Sequence, residues 1–186
     1  MDQSTSTVLM VRPASFGYNA ETAASNFFQQ TEPWNIQQKA VDEFDSMVSS
    51  LREHGIEVIV IQDTADPLKP DAVFPNNWFR CDGKELTLFP MLAENRRTDR
   101  RKDIIEELIS RNNLSIRDLT SHEEEFKFLE GTGSIVCDHV NMVMYACISP
   151  RTNKALFIDY AESCGYEPVW FHAKDNDGSC YCYYFY

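Results

Sequence analysis

Lys69-Pro70-Asp71-Ala72-Val73-Phe74-Pro75-Asn76-Asn77-Trp78-Phe79 sets one acid and a pair of amides at strand spacing beside a proline. An acid accepts hydrogen bonds and each amide both donates and accepts, so such a stretch can hold polar groups at a site. A second run, Phe128-Leu129-Glu130-Gly131-Thr132-Gly133-Ser134, puts one carboxylate against a small-residue turn that leads into an apolar strand. Glycine lets the backbone of such a turn come close to whatever the carboxylate serves. Each motif also has a plainer reading. Asn76-Asn77 can be a β-turn or a bulge, and Glu130 can be a loop-exposed residue closing the acidic run Glu123, Glu124, Glu125.

The elements that must position these residues follow from periodicity. Val8 to Val11 is a short apolar strand, followed by Arg12, Pro13 and a polar, aromatic loop through Pro33. Ile36, Ala40, Phe44, Met47, Val48 and Leu51 recur at three- and four-residue steps, which predicts a helix. Gly55 supplies a left-handed stop before the β-branched run Ile56 to Ile61. Next come strand Val73 to Arg80, a turn at Asp82-Gly83, strand Leu86 to Phe89, a basic loop, a helix around Ile104, Ile105, Leu108 and Ile109, an end at Asn112-Asn113, and Leu114 to Leu119. A third pass reads strand Ser134 to Asp138, strand Met142 to Ile148, loop 149–152, helix Lys154 to Cys164, Gly165 and strand Glu167 to His172. The repeating order is ββαβ, an α/β architecture.

The chain of 186 residues is 43% hydrophobic and 12% aromatic, enough for a packed core. Its net charge of -12 repels phosphate backbones and anionic lipid, which argues against nucleic acid and membrane surfaces as partners. The longest apolar runs fall far short of the roughly 20 residues of a membrane span. Met1 to Thr7 is polar and carries an acid, with no signal-like pattern, so a cytoplasmic location is expected. Cys81, Cys137, Cys147 and Cys164 sit singly in apolar or strand-like segments and read as buried thiols. Cys180 and Cys182 form a Cys-x-Cys pair with no second pair and no histidine at zinc-finger spacing, so neither a metal nor another cofactor is expected.

Together the Asp71 and Glu130 motifs, with this element order, resemble the amidine-modifying (pentein) superfamily of arginine deiminases, dimethylarginine hydrolases and amidinotransferases. Within it the chain is similar to the amidinotransferase-like, citrulline-utilisation hydrolase group. The resemblance implies an α/β propeller of ββαβ units around a central site. It spans residues 6 to 178, and the expectation is a single domain over 1–178, the N-terminal part of a propeller incomplete at its C-terminus, followed by an atypical aromatic tail, 179–186.

The resemblance also implies roles. Glu130 becomes the acid that orients a catalytic histidine, and Asp71 with Asn76 and Asn77 matches the acid and acid pair that grip a guanidinium. Two amides in place of the acid pair suit a neutral urea as well as a cation, so a citrulline-like or other ureido substrate is expected. Arg96 and Arg97, of which Arg97 is the favoured contact, and Arg151 match positions that bind the α-carboxylate of an amino acid, for which a planar guanidinium fork is suited. Arg96, Arg97, Arg100 and Arg101 can equally serve ion pairs on the acidic helix carrying Asp103, Glu106 and Glu107. Phe16, Asn19 and Asn26 match the relatives too, without an assigned role.

The resemblance places a histidine near Tyr183, Tyr184 and Phe185, where none stands, and a nucleophilic cysteine in a later unit. His54, His122, His139 and His172 all lie elsewhere. The expectation is a C–N hydrolase or amidinotransferase relative acting on guanidino or ureido amino acids, inactive as this truncated chain. The alternative is a non-catalytic paralogue that binds an amino acid or a partner protein. Ser179 to Tyr186, with five aromatics and no charge, and open sheet edges lead to an expectation of self-association.

Overall fold

The computed structural model of the chain describes residues 3–23, 35–174 and 180–181. Asn26, the hairpin expected at 175–178 and the tail other than Cys180–Tyr181 lie outside the described residues. The chain divides into two compact units, one of Ser4–Pro75 with Ala93–Ile104, the other of Met1–Gln3, Asn76–Leu92 and Ile105–Tyr186.

In the first unit, β1 (Thr7–Arg12) pairs in parallel with β2 (Glu57–Gln62), Thr7 opposite Glu57 and Arg12 opposite Gln62. Parallel neighbours need a crossover. The chain supplies it with a short helix α1 (Ala20–Ala23) and the long α2 (Ile36–Glu53). The apolar stripe of α2 buries Phe44 and Val48 against Val58, with Val8, Met10, Leu51 and Val60 around them. Gly55, at φ 80, then turns the chain into β2 as its missing Cβ allows.

The second unit holds two passes of the expected ββαβ order. β3 (Phe79–Asp82) and β4 (Glu85–Leu88) form an antiparallel hairpin, and β5 (Ser115–Asp118) joins β4 in parallel, with α3 (Lys102–Asn112) between them in the chain. After α4 (Gly131–Ser134), β6 (Ile135–Asp138) and β7 (Val143–Cys147) pair antiparallel, α5 (Lys154–Ser163) follows, and β8 (Glu167–Phe171) joins β7 in parallel. A two-residue pair, β9 (Ala173–Lys174) with β10 (Cys180–Tyr181), follows. Phe89, Leu129, Ile135, Met144, Leu156, Phe157, Tyr160 and Tyr166 form the main core of this unit.

α5 is anchored at its start by Asn153, whose side chain accepts the Leu156 N–H at 3.0 Å and satisfies one of the donors that a helix start leaves open. Asn153→Ala is expected to lower stability by about 1 kcal/mol. A shift in the urea midpoint with unchanged slope is the measurement.

Two sequence expectations need correction. Val73 to Arg80 is not a strand. Asp71 to Phe74 is a turn closed by Phe74 N–H on Asp71 O at 3.0 Å, Pro75–Asn77 is a 3₁₀ turn, and the strand begins only at Phe79. The thiols are not all buried either. Cys147 is buried, Cys137 and Cys164 are half-buried, and Cys81 is exposed because its strand turns Arg80 inward, where Nη1 donates to Tyr160 Oη at 3.1 Å. Among the described residues no helix is long and apolar enough to cross a membrane.

Candidate functional site

Glu130 stands at the start of α4 and is buried, so the exposed-loop reading fails. Its backbone N–H donates to Ser134 Oγ at 2.9 Å, four residues on. Ser134 Oγ in turn donates to Arg151 O at 2.9 Å and accepts from Thr152 Oγ1 at 2.8 Å. This hydroxyl relay fixes the Glu130 turn on the 149–152 loop. Both carboxylate oxygens are used. Oε1 accepts Leu92 N–H at 3.1 Å, and Oε2 accepts Arg151 Nε at 2.8 Å, Arg151 Nη2 and Asn77 Nδ2 at 3.3 Å. The Glu130 and Arg151 side chains are 3% and 6% exposed, so their charges neutralise one another out of contact with water.

The two glycines beside Glu130 are there for space. An ideal Cβ on Gly131, which sits at φ +36, would lie 2.2 Å from Asn76 O, and one on Gly133 would lie 2.4 Å from Asn77 Nδ2. Asn76 Nδ2 donates to Thr132 Oγ1 at 2.6 Å. The sequence Glu-Gly-Thr-Gly-Ser is thereby packed onto Asn76-Asn77, and the two motifs meet through Asn76, Asn77, Glu130 and Arg151. Asn76-Asn77 forms a turn, as its plainer reading had it, and its amides bond across to the second motif.

Asp71 belongs to the other unit. Its Oδ2 accepts Asn19 Nδ2 at 2.7 Å and Thr22 Oγ1 at 3.0 Å. Its backbone is held by Arg96, whose Nη2 donates to Asp71 O at 3.2 Å and to Phe74 O at 2.9 Å while Nε pairs with Asp99 Oδ2 at 2.9 Å. The preceding loop is fixed by Lys69, whose buried ammonium donates to Thr64 O, Thr64 Oγ1 and Pro67 O at 2.8–2.9 Å and pairs with Asp63 at 3.3 Å. Phe74, by contrast, is 42% exposed. Arg97 is half-buried in the 3₁₀ turn Asn95–Asp99, where its N–H bonds Glu94 O at 3.0 Å. Among the described residues no group of three or more His, Cys, Asp or Glu could hold a metal ion. His54 and His139 bond elsewhere, to Ser50 O and Tyr166 Oη.

The family profile described as "N,N dimethylarginine dimethylhydrolase, eukaryotic" matches residues 12–184. The chain belongs to that family. As a family member it is similar in fold to a dimethylarginine dimethylaminohydrolase from Pseudomonas aeruginosa, a cysteine-to-serine variant complexed with citrulline, with TM-score 0.66 and 18% identity over 91% of this chain and 61% of that one. It is also similar to the substrate-bound N-terminal domain of ArgZ, an arginine dihydrolase from the ornithine-ammonia cycle in cyanobacteria, with TM-score 0.67 and 17% identity over 94% of this chain and 60% of that one. A dimethylarginine dimethylaminohydrolase adduct with S-methyl-L-thiocitrulline gives TM-score 0.65 and 18% identity over 92% and 63%. The chain thus spans about three-fifths of the length of these neighbours. No curated protein sequence matches it. The pentein fold expected from the two motifs is the fold it shares with them.

Four residues take supporting roles to which the sequence alone does not point. Ser134 and Thr152 support Glu130, and Lys69 and Arg96 support the Asp71 turn. Ser134 had a local signal, a hydroxyl four residues after the acid. Arg96 was grouped with Arg97 as a carboxylate ligand, whereas its guanidinium is spent on backbone carbonyls and Asp99.

Asp99 gives a pH signature. Burial pushes its carboxyl up from 3.8 to about 6, against the opposing pull of Arg96. Between those values the folded chain keeps a proton that the unfolded chain releases, so this group's contribution to stability falls as pH rises from about 4 to about 6. Subtracting the Asp99→Asn profile of urea midpoint against pH from that of the parent is expected to leave a decline over that window. A flat difference rejects the shift.

Proposed function

We propose that this chain carries part of a site for cleaving the C–N bond at the guanidino or ureido carbon of an amino acid of the arginine, methylarginine or citrulline type. The observation that carries the reading is the buried Glu130 carboxylate, fixed by a two-glycine turn and bonded by the Asn77 amide. Such chemistry needs a thiolate nucleophile, an imidazole that moves protons, an acid that orients the imidazole, and groups that hold the planar head. Glu130 is assigned the orienting role and Asp71 the grip on the head. Asn76 and Asn77 offer amides that serve a urea as well as a guanidinium. Arg97 and Arg151 are assigned to the α-carboxylate.

Titrating citrulline, arginine and dimethylarginine into the 186-residue chain in a calorimeter tests this. Citrulline is expected to bind more tightly than arginine. Absence of heat with all three sinks the proposal. With Tyr183, Tyr184 and Phe185 where the family places its histidine, this polypeptide assayed alone is expected to bind without releasing product. Turnover abolished by replacing a single cysteine with serine overturns that part.

A non-catalytic binding role is the second reading, favoured by the bonds from Arg151, Asn77 and Leu92 that engage both Glu130 oxygens. The proposal places the protein in the cytoplasm, where the free thiols Cys81, Cys137, Cys147 and Cys164 stay reduced. It further includes self-association through sheet edges, for which a monodisperse monomer in light scattering is the contrary result.

A further inference from the structure

We propose that Asn19 is a positioning residue for Asp71, holding that carboxylate in the orientation with which it grips the substrate head; this rests on the reading of Asp71 as a substrate contact. Asn19 is 2% exposed, and a buried amide is costly unless its bonds are made. They are made in one sense only. Its Oδ1 accepts Asn95 Nδ2 at 2.7 Å and Glu21 N–H at 3.2 Å. Its Nδ2 donates to Asp71 Oδ2 at 2.7 Å and to Asn95 Oδ1 at 3.3 Å. Turning the amide over would set oxygen against the Asp71 carboxylate and nitrogen against a backbone N–H, so the network fixes which end faces Asp71. Thr22 Oγ1 reaches the same oxygen at 3.0 Å, and Asn95 N–H returns to Glu21 Oε2 at 3.0 Å. The segment around α1 and the turn Asn95–Asp99 are tied reciprocally.

The division of labour makes Asn19 more than packing. Arg96 holds the backbone of the Asp71 turn through two carbonyls, and Asn19 holds the side chain. Loss of Asn19 therefore removes one of the groups that orient the carboxylate and loosens it, while the turn stays in place. A side chain released from its partner gives back the orientation that binding then has to restore, which weakens affinity without removing any group that touches the ligand.

The test is a double-mutant cycle read by chemical-shift titration with citrulline and with arginine, which reaches millimolar affinities. The variants are Asn19→Ala, Asn95→Ala and Asp71→Ala, with each of the first two also combined with Asp71→Ala. Asn19→Ala is expected to weaken binding at least tenfold in the parent and less than twofold in the Asp71→Ala background, because a residue that acts through the Asp71 carboxylate then has nothing left to act on. Asn95→Ala, which loosens the amide from its far side, is expected to give a smaller loss with the same dependence on Asp71, and it carries the cycle if Asn19→Ala does not fold. Equal losses in both backgrounds, or parent-like affinity in Asn19→Ala, overturn the inference and leave the proposed function standing. A parent chain that binds neither amino acid overturns both.

Discussion

Arg151→Met is expected to destabilise the chain by about 3–5 kcal/mol, the cost of stranding a buried charge by removing one partner of its pair. Glu130 keeps only Leu92 N–H and the long Asn77 bond once the guanidinium is gone, and neither supplies a full positive charge. Glu130→Gln is expected to be destabilising as well, since it leaves the buried Arg151 charge without its counter-ion and turns an amide nitrogen toward a donor. The double replacement Glu130→Gln, Arg151→Met is expected to recover part of the loss, as the removal of both charges leaves none unpaired. Chemical denaturation of the three variants measures this, and a loss below about 1 kcal/mol in Arg151→Met would mean that the pair is solvated in solution.

Gly131→Ala carries the second large effect. A Cβ at that position would meet the Asn76 carbonyl oxygen at 2.2 Å, where backbone faces backbone and no flexible side chain can give way. The positive φ of 36° adds strain for any L-residue with a side chain. The Glu130 turn and the Asn76-Asn77 turn must therefore move apart, and the Asn77 to Glu130 bond goes with them. A loss of about 2–4 kcal/mol is expected, the range of clashes that force backbone shifts together with a lost buried bond. Gly83→Ala is the control, because its left-handed turn has open space around it and only the strain remains. Equal losses at Gly131 and Gly83 would refute the close-approach account.

What could be read in the sequence was what is local. Gly55, Gly83 and Gly165 fall at positive φ where punctuation was expected, and the apolar period of α2 and the paired strands of each ββαβ pass follow from spacing alone. The stretch Val73 to Arg80 defeated that logic. Its β-rich composition suggested a strand, yet Arg96, more than 20 residues downstream, draws in the carbonyls of Asp71 and Phe74 and closes a turn instead. Cys81 was misplaced for a similar reason. Strand alternation should bury the thiol or Arg80, and the inward arginine is accommodated by Tyr160, 80 residues away, which accepts its hydrogen bond, together with Asp82 and the Tyr166 ring. The Glu130 motif was legible as a carboxylate on a small-residue turn. Its partners were not, since Arg151 and Asn77 lie 21 and 53 residues off in the chain and nothing in their own neighbourhoods points back to it.

Lys69 turns the fold into its own reporter. An amine-modifying reagent needs an accessible, deprotonated nitrogen, and this ammonium is enclosed by two carbonyls, a hydroxyl and Asp63, whereas Lys39 and Lys84 stand in solvent. Under acetylating reagent the exposed lysines should label at once, and Lys69 only as often as the 63–70 loop opens. The lag in its labelling, read peptide by peptide in a mass spectrometer, is thus a clock for the opening of the segment that leads into Asp71. A ligand that engages Asp71 should slow that clock.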